Sequence, residues 1–141
     1  MKTFKEFLDE GKVKKNYPDK TRAKSMFAQG EARMRDLKSL PINDETAPFR
    51  FEDAYEAVRE VLQAFMFSEG YNPYSHDAVI VFGYEKGLLT EAEFRRWDRN
   101  RKIRNDINYR SEKTTIEETK EAIEKASELM EKLRKKFEHL L

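Results

Sequence analysis

The sequence predicts an all-α protein, an up-and-down bundle of four to five long helices plus a short N-terminal helix. Three observations carry this. Apolar residues recur at three- and four-residue steps along most of the chain. The apolar fraction of 38% beside a charged fraction of 39% suits helices with one buried stripe and a charged outer face. Aromatic residues make up 12%, too many for a disordered chain of comparable charge. At 141 residues the chain is long enough to bury a real core, and residues 1–141 read as one domain.

In the first segment, Thr3 to Gly11, Phe4, Phe7 and Leu8 stand at helical spacing and Gly11 is the stop. A basic stretch, Lys12 to Lys15, leads to Tyr17-Pro18-Asp19. The second helix runs from about Asp19 to Leu40 on a stripe of Ala23, Met26, Phe27, Gly30, Met34 and Leu37, and Pro41 ends it. Pro41 to Pro48 reads as a loop. The third helix, about Phe51 to Glu69, is the most apolar long element, and Gly70 terminates it. Tyr71-Asn72-Pro73-Tyr74 reads as a turn.

Ser75 then precedes an apolar run, Ala78 to Tyr84, that Gly87 ends. Its β-branched content would suit a strand, but no other segment offers a strand partner, so it reads as a short buried helix. Thr90-Glu91-Ala92-Glu93 has capping-box spacing and opens the fifth helix, and Thr114-Thr115-Ile116-Glu117 opens the last in the same way. That last helix keeps a seven-residue rhythm through Ile116, Thr119, Ile123, Ala126, Met130, Leu133, Phe137 and Leu140. Such a rhythm means packing against near-antiparallel neighbours or against a second chain.

Composition excludes several classes of function. A formal net charge of +1 gives no global attraction to nucleic acid or anionic membrane, so any electrostatic argument must be local. The absence of cysteine excludes disulfides, thiolate metal sites and a cysteine nucleophile. No apolar run approaches the length of a membrane span, and Met1-Lys2-Thr3-Phe4 does not resemble the start of a signal peptide, so a cytoplasmic protein is expected. There is no glycine-rich phosphate loop, no metal-ligand spacing and no serine triad, and neither metal nor other cofactor is expected.

The fifth helix breaks the pattern. At about 100° per residue, Trp97, Asn100, Arg104 and Ile107 form one seam, so Arg104 stands where a bundle would place leucine. A buried guanidinium without partners is prohibitively costly, so Arg104 must pair or face a cleft. The structural alternative is an ion pair with an acid of the third helix, such as Glu60 or Glu69. From Arg95 to Arg110 there are seven basic residues against two acidic ones. Arg95, Arg96 and Arg99 read as a solvated face. Arg101, Lys102, Arg104 and Arg110, with the amides of Asn100 and Asn105 and the flanking Trp97, are candidates to hold phosphates and stack a base.

At Arg104-Asn105-Asp106-Ile107-Asn108-Tyr109 the sequence resembles the HEPN domain family, the helical domains named for higher eukaryotes and prokaryotes nucleotide binding. Ser68-Glu69-Gly70, Pro73 and Ser75-His76-Asp77 match that family's glycine-ended helix, proline turn and His-Asp pair. The resemblance implies a helical bundle, usually a homodimer whose arginine motifs meet in one cleft. It implies binding of RNA or nucleotide, and in many members metal-independent endoribonuclease activity in toxins paired with a small nucleotidyltransferase. Arg104 carries over to the family's arginine and Asn105 to the polar residue after it.

The motif's histidine does not carry over, because Tyr109 stands in its place, and a phenol with a pKa near 10 is a poor base at neutral pH. Tyr109 remains a candidate to donate a hydrogen bond, stack on a base or position a phosphate. His76 reads as a helix-start hydrogen-bonding residue and His139 as solvated. The expectation is therefore an RNA- or nucleotide-binding module centred on Arg104. An endoribonuclease with an altered Arg/Tyr site and a purely protein-binding bundle are the alternatives.

Overall fold

In a computed structural model, described for residues 1–110 and 114–140, the chain folds as an all-α bundle with one small accessory sheet. Helix α1 (Phe4–Asp9) and strand β1 (Val13–Lys15) precede α2 (Lys20–Lys38) and α3 (Ala47–Glu69). Strand β2 (Tyr71–Pro73), α4 (His76–Glu85), α5 (Glu91–Arg110) and α6 (Ile116–Leu140) follow. No described helix is long and apolar enough to cross a membrane.

Helix α3 is the axis of the bundle, and its sequence explains why. Ala54, Ala57, Val58, Val61, Leu62 and Phe65 are buried around much of its circumference, which requires neighbours on several sides. Helices α2, α4, α5 and α6 supply them. Against α2 the backbones approach closely at Gly30, where an added Cβ would lie 2.8 Å from Val61 Cγ2 and 2.9 Å from the Ala57 carbonyl oxygen. Further along, Phe27 stacks on Phe137 at 4.3 Å between centroids, and Phe65 meets Phe137 edge-on at 5.1 Å. Much of the seven-residue rhythm of α6 is buried within the chain: Thr119, Ala126, Met130, Leu133 and Phe137 are buried, Ile116 and Ile123 are half-buried, and Leu140 is exposed.

Three expectations need correction. Tyr71-Asn72-Pro73 is a strand and not a turn, and it pairs antiparallel with Val13–Lys15 in the register Val13 to Pro73 and Lys15 to Tyr71. Gly70, at φ +89°, ends α3 and redirects the chain along β1. Bonds from the Asn16 amide to the Gly70 carbonyl (2.6 Å) and from the Tyr74 amide to the Lys12 carbonyl (2.8 Å) close the ribbon at both ends. Two strands of three residues are too short for alternation to be read from sequence.

Helix α3 also begins earlier than expected, at Ala47, with Pro48 inside its first turn, where a missing amide proton costs nothing. The capping box of α6 lies one residue later than expected. Thr115 and Glu118 make the reciprocal bonds (Glu118 amide to Thr115 Oγ1, 3.0 Å). Thr114 is instead buried, its hydroxyl 3.2 Å from that of Thr119, which in turn donates to the Ala47 carbonyl. The Thr90–Glu93 box forms as expected.

Candidate functional site

Helix α5 presents one side to the core, and its apolar residues fix which one. Trp97 is 1% exposed and Asn100 is buried with it, while Ile103 and Ile107 pack against the core edge. This corrects two expectations. An indole sealed in the core cannot stack on a base, and Asn100 is not open to a ligand as it stands. Arg104, one turn beyond Asn100, emerges where α5 passes the N-terminal half of α3, with its side chain only 18% exposed.

The acids that meet Arg104 are Glu52 and Glu56 of α3. Its Nη2 lies 3.6 Å from Glu56 Oε1 and 3.9 Å from Glu52 Oε1. The third-helix acids anticipated from the sequence are committed elsewhere. Glu60 is 1% exposed and binds Arg33 Nε at 2.5 Å and Gln29 on the α2 side, and Glu69 pairs with Lys86 at 3.1 Å. Asn108 joins the cluster in the amide orientation that its neighbours dictate. Its oxygen accepts from Arg104 Nε at 3.1 Å and its nitrogen donates to Glu52 Oε2 at 3.1 Å. Asn105 Oδ1 lies 3.5 Å from Arg104 Nη1.

Glu56 is the buried centre of the group. Arg59, one turn along α3, donates to Glu56 Oε2 from Nη2 at 2.7 Å and from Nε at 3.1 Å. Oε1 is buried without a hydrogen bond, since Arg104 approaches it without closing to bonding distance. Burial pushes this carboxyl up, but the Arg59 hydrogen bonds and the charges of Arg59 and Arg104 outweigh it and hold Glu56 below the usual carboxylate range.

His76, the first residue of α4, completes the cluster. Its Nδ1 lies 3.5 Å from the hydroxyl of buried Tyr55, and the Arg104 guanidinium sits 5.9 Å from the Tyr55 ring centroid. Burial first, and then the charge of Arg59, lower the imidazole below its ordinary value against the opposing pull of Glu56. The neutral form is therefore favoured at neutral pH. Burial likewise raises the Tyr55 phenol.

The remaining candidates divide. Arg101 faces the start of α4, with Nε 3.2 Å from Asp77 and Nη2 3.1 Å from Asp98. Lys102 is exposed, 3.4 Å from Asp98. The side chains of Tyr109 and Arg110 lie outside the described residues, so their expected roles have no geometry here. Among the described residues no group of three or more His, Asp or Glu could hold a metal ion.

The sequence reading missed Glu52, Glu56, Arg59 and Tyr55 as site residues, and took His76 only as a helix-start hydrogen-bonding residue. One signal was available for part of this: Glu52, Glu56 and Arg59 recur at four- and three-residue steps and so share one face of α3. Nothing local tied that face to His76.

A helical bundle that delivers one arginine from a core-facing seam into a half-buried cluster of acids, amides and an imidazole is a scaffold that gathers a polar cluster at the edge of its core. The model of the HEPN domain matches residues 23–136, and the chain belongs to that family. It is accordingly a helical module of a nucleotide- or RNA-related family. Helix α1, strand β1 and the first residues of α2 precede the matched segment. No curated protein and no solved structure matches the chain.

Proposed function

We propose that this protein binds RNA or a nucleotide by its phosphate through Arg104. In this reading it acts as a homodimer in which two such clusters face one cleft, and it serves a nucleotidyltransferase partner. The observation that carries the reading is the loose pairing of Arg104 with its acids, its one close hydrogen bond running from Nε to the Asn108 amide oxygen. Its contacts of 3.6 and 3.9 Å to two glutamates are ion contacts without hydrogen bonds, although the side chain is largely shielded from water. A phosphate offers the same guanidinium shorter, bidentate, charge-assisted bonds. Glu56 remains neutralised by Arg59 when Arg104 turns to a ligand. Asn105 and Arg101 flank Arg104 on the same helix and extend the contact.

The test is binding of labelled single-stranded RNA and of a mononucleotide in EDTA, wild type beside Arg104→Ala. Loss of both in the variant supports the reading, and unchanged binding overturns it.

One observation favours a second reading, metal-independent cleavage. His76 brings an imidazole held neutral into the cluster of Arg104, although the motif position holds Tyr109. In that chemistry the RNA 2′-oxygen forms a bond to the adjacent phosphorus and the bond to the 5′-oxygen breaks. The imidazole takes the 2′ proton, and the leaving 5′-oxygen takes a proton from water. Cyclic-phosphate ends formed in EDTA, and lost in both His76→Ala and Arg104→Ala, would establish it. Intact RNA after long incubation with excess protein would discard it.

A further inference from the structure

The ribbon that the N-terminal segment builds has a surface unlike the rest of the molecule. Between Lys12 and Lys24 there are six basic residues and one acid, Asp19. All six are exposed, and among the described residues none of them is ion-paired, whereas most arginines of α5 have carboxylate partners. Asp19 is occupied in capping α2 through the Arg22 amide. Unpaired cations crowded on one surface repel one another and gain from a polyanion.

Aromatic rings stand among them. Tyr17 is 91% exposed and Tyr74 60% exposed, an unusual display of large rings in a chain with this much buried aromatic surface. Lys14 Nζ lies 5.7 Å from the Tyr74 ring centroid, and Lys15 Nζ lies 4.2 Å from that of Tyr71 while also donating to the Glu69 carbonyl at the end of α3. Lys15 is thus tied to the fold. Lys12, Lys14 and Tyr74 are not, because the bond that joins these strands runs between the Tyr74 amide and the Lys12 carbonyl and leaves their side chains free.

The patch adjoins the candidate site. Tyr74 is two residues from His76, at most about 7 Å of backbone, and His76 touches Tyr55 beside Arg104. From these placements we infer that the ribbon is the second half of a single-stranded nucleic-acid track. Lys12 and Lys14 hold successive phosphates and Tyr74 stacks a base, continuing a strand whose anchoring phosphate sits at Arg104. Exposed rings alternating with unpaired cations are the chemistry that holds unstacked bases and a backbone together. A folded duplex offers no free base faces to them. The inference rests on the reading of Arg104 as a phosphate site, but its contacts lie on β1 and at the end of β2. A mononucleotide is too short to span both.

The experiment compares wild type, Arg104→Ala and the triple variant Lys12→Ala/Lys14→Ala/Tyr74→Ala. The probes are a mononucleotide, single-stranded RNA and DNA of about 12 nucleotides, and duplex RNA, each over a range of salt. All three substituted side chains are exposed or make no cross-strand bond, and an unchanged thermal melt verifies the fold.

The triple variant is expected to bind the mononucleotide as wild type does, and to bind single strands at least tenfold more weakly, from stacking alone. Its log–log salt slope should shrink by about 0.7 per lysine removed. Loss on both RNA and DNA supports a track that reads phosphate and base faces, and loss on RNA alone supports one that also reads the 2′-hydroxyl. Single-strand affinity and salt slope equal to wild type would overturn the inference whatever Arg104 does. So would a loss on duplex RNA as large as on single strands. If Arg104→Ala still binds every probe while the triple variant does not, the ribbon stands as a binding surface and the Arg104 reading falls.

Discussion

Removing Arg104 tests whether it is a structural ion pair or a group held ready for a ligand, because the two roles predict different costs. At 3.6 Å and an effective dielectric of about 20, its attraction to Glu56 is worth roughly 4–5 kcal/mol before desolvation is charged against it. Breaking a buried pair so that one charge is orphaned typically costs about 3–5 kcal/mol. Glu56 is not orphaned when Arg104 is removed, since Arg59 holds its other oxygen at 2.7 and 3.1 Å. Arg104→Ala should therefore destabilise the fold by only about 1 kcal/mol, the scale of a partly exposed, loosely bonded pair. Arg59→Ala, which removes both hydrogen bonds and leaves Glu56 to a distant partner, should cost about 3 kcal/mol. Urea unfolding at neutral pH, with Glu56→Gln completing a double-mutant cycle, measures all of these. An Arg104→Ala cost of 3 kcal/mol or more, with coupling to Glu56 of similar size, would make Arg104 a structural residue and refute the reasoning.

Gly30→Ala should cost about 1–3 kcal/mol in the same assay, because its Cβ would press on Val61 Cγ2 and the Ala57 carbonyl at under 3 Å where α2 crosses α3. Gly70→Ala should destabilise as well and loosen the ribbon, visible as faster amide exchange at Asn16 and Tyr74, since φ is +89° and a Cβ would fall 2.3 Å from the Asn16 carbonyl oxygen. Native exchange at those amides in the variant would show the ribbon closes without that turn. His76 gives a pH signature with a defined sign. Its folded pKa lies below the unfolded 6.5, so the unfolded chain binds more protons in that window and stability falls as pH drops through it. The slope below about pH 6.5 should flatten in His76→Gln, and an unchanged slope would mean that the imidazole is not held neutral.

Periodicity made most of the bundle legible. The stripes of α2 and α6, the stops at Gly70 and Gly87 and the Thr90 cap are each encoded within a turn or two of the residues they govern. Arg104 was legible for the same reason, since a charge on an apolar seam is a local contradiction that only a partner or a cleft resolves. Its partners were not. Glu60, named with Glu69 as an example of a partner in the structural alternative, lies on α3 only four residues from Glu56, yet it points to Arg33 on α2. A step of four residues turns the helix by about 40°, enough to move a side chain from one neighbouring helix to another, and the sequence carries no record of which neighbour lies where.

What the sequence determined by itself is the set of helices, their buried faces and the one arginine that does not belong on such a face, because these follow from short-range patterns of polarity. Tertiary structure alone decided three things: that Trp97 and Asn100 are sealed away, that His76 and Glu56 gather at Arg104, and that two strands far apart in the chain form a basic, tyrosine-bearing ribbon beside them. Each depends on how helices and strands distant in sequence are set against one another. That arrangement is fixed by the packing of the whole core around α3 and by no segment alone.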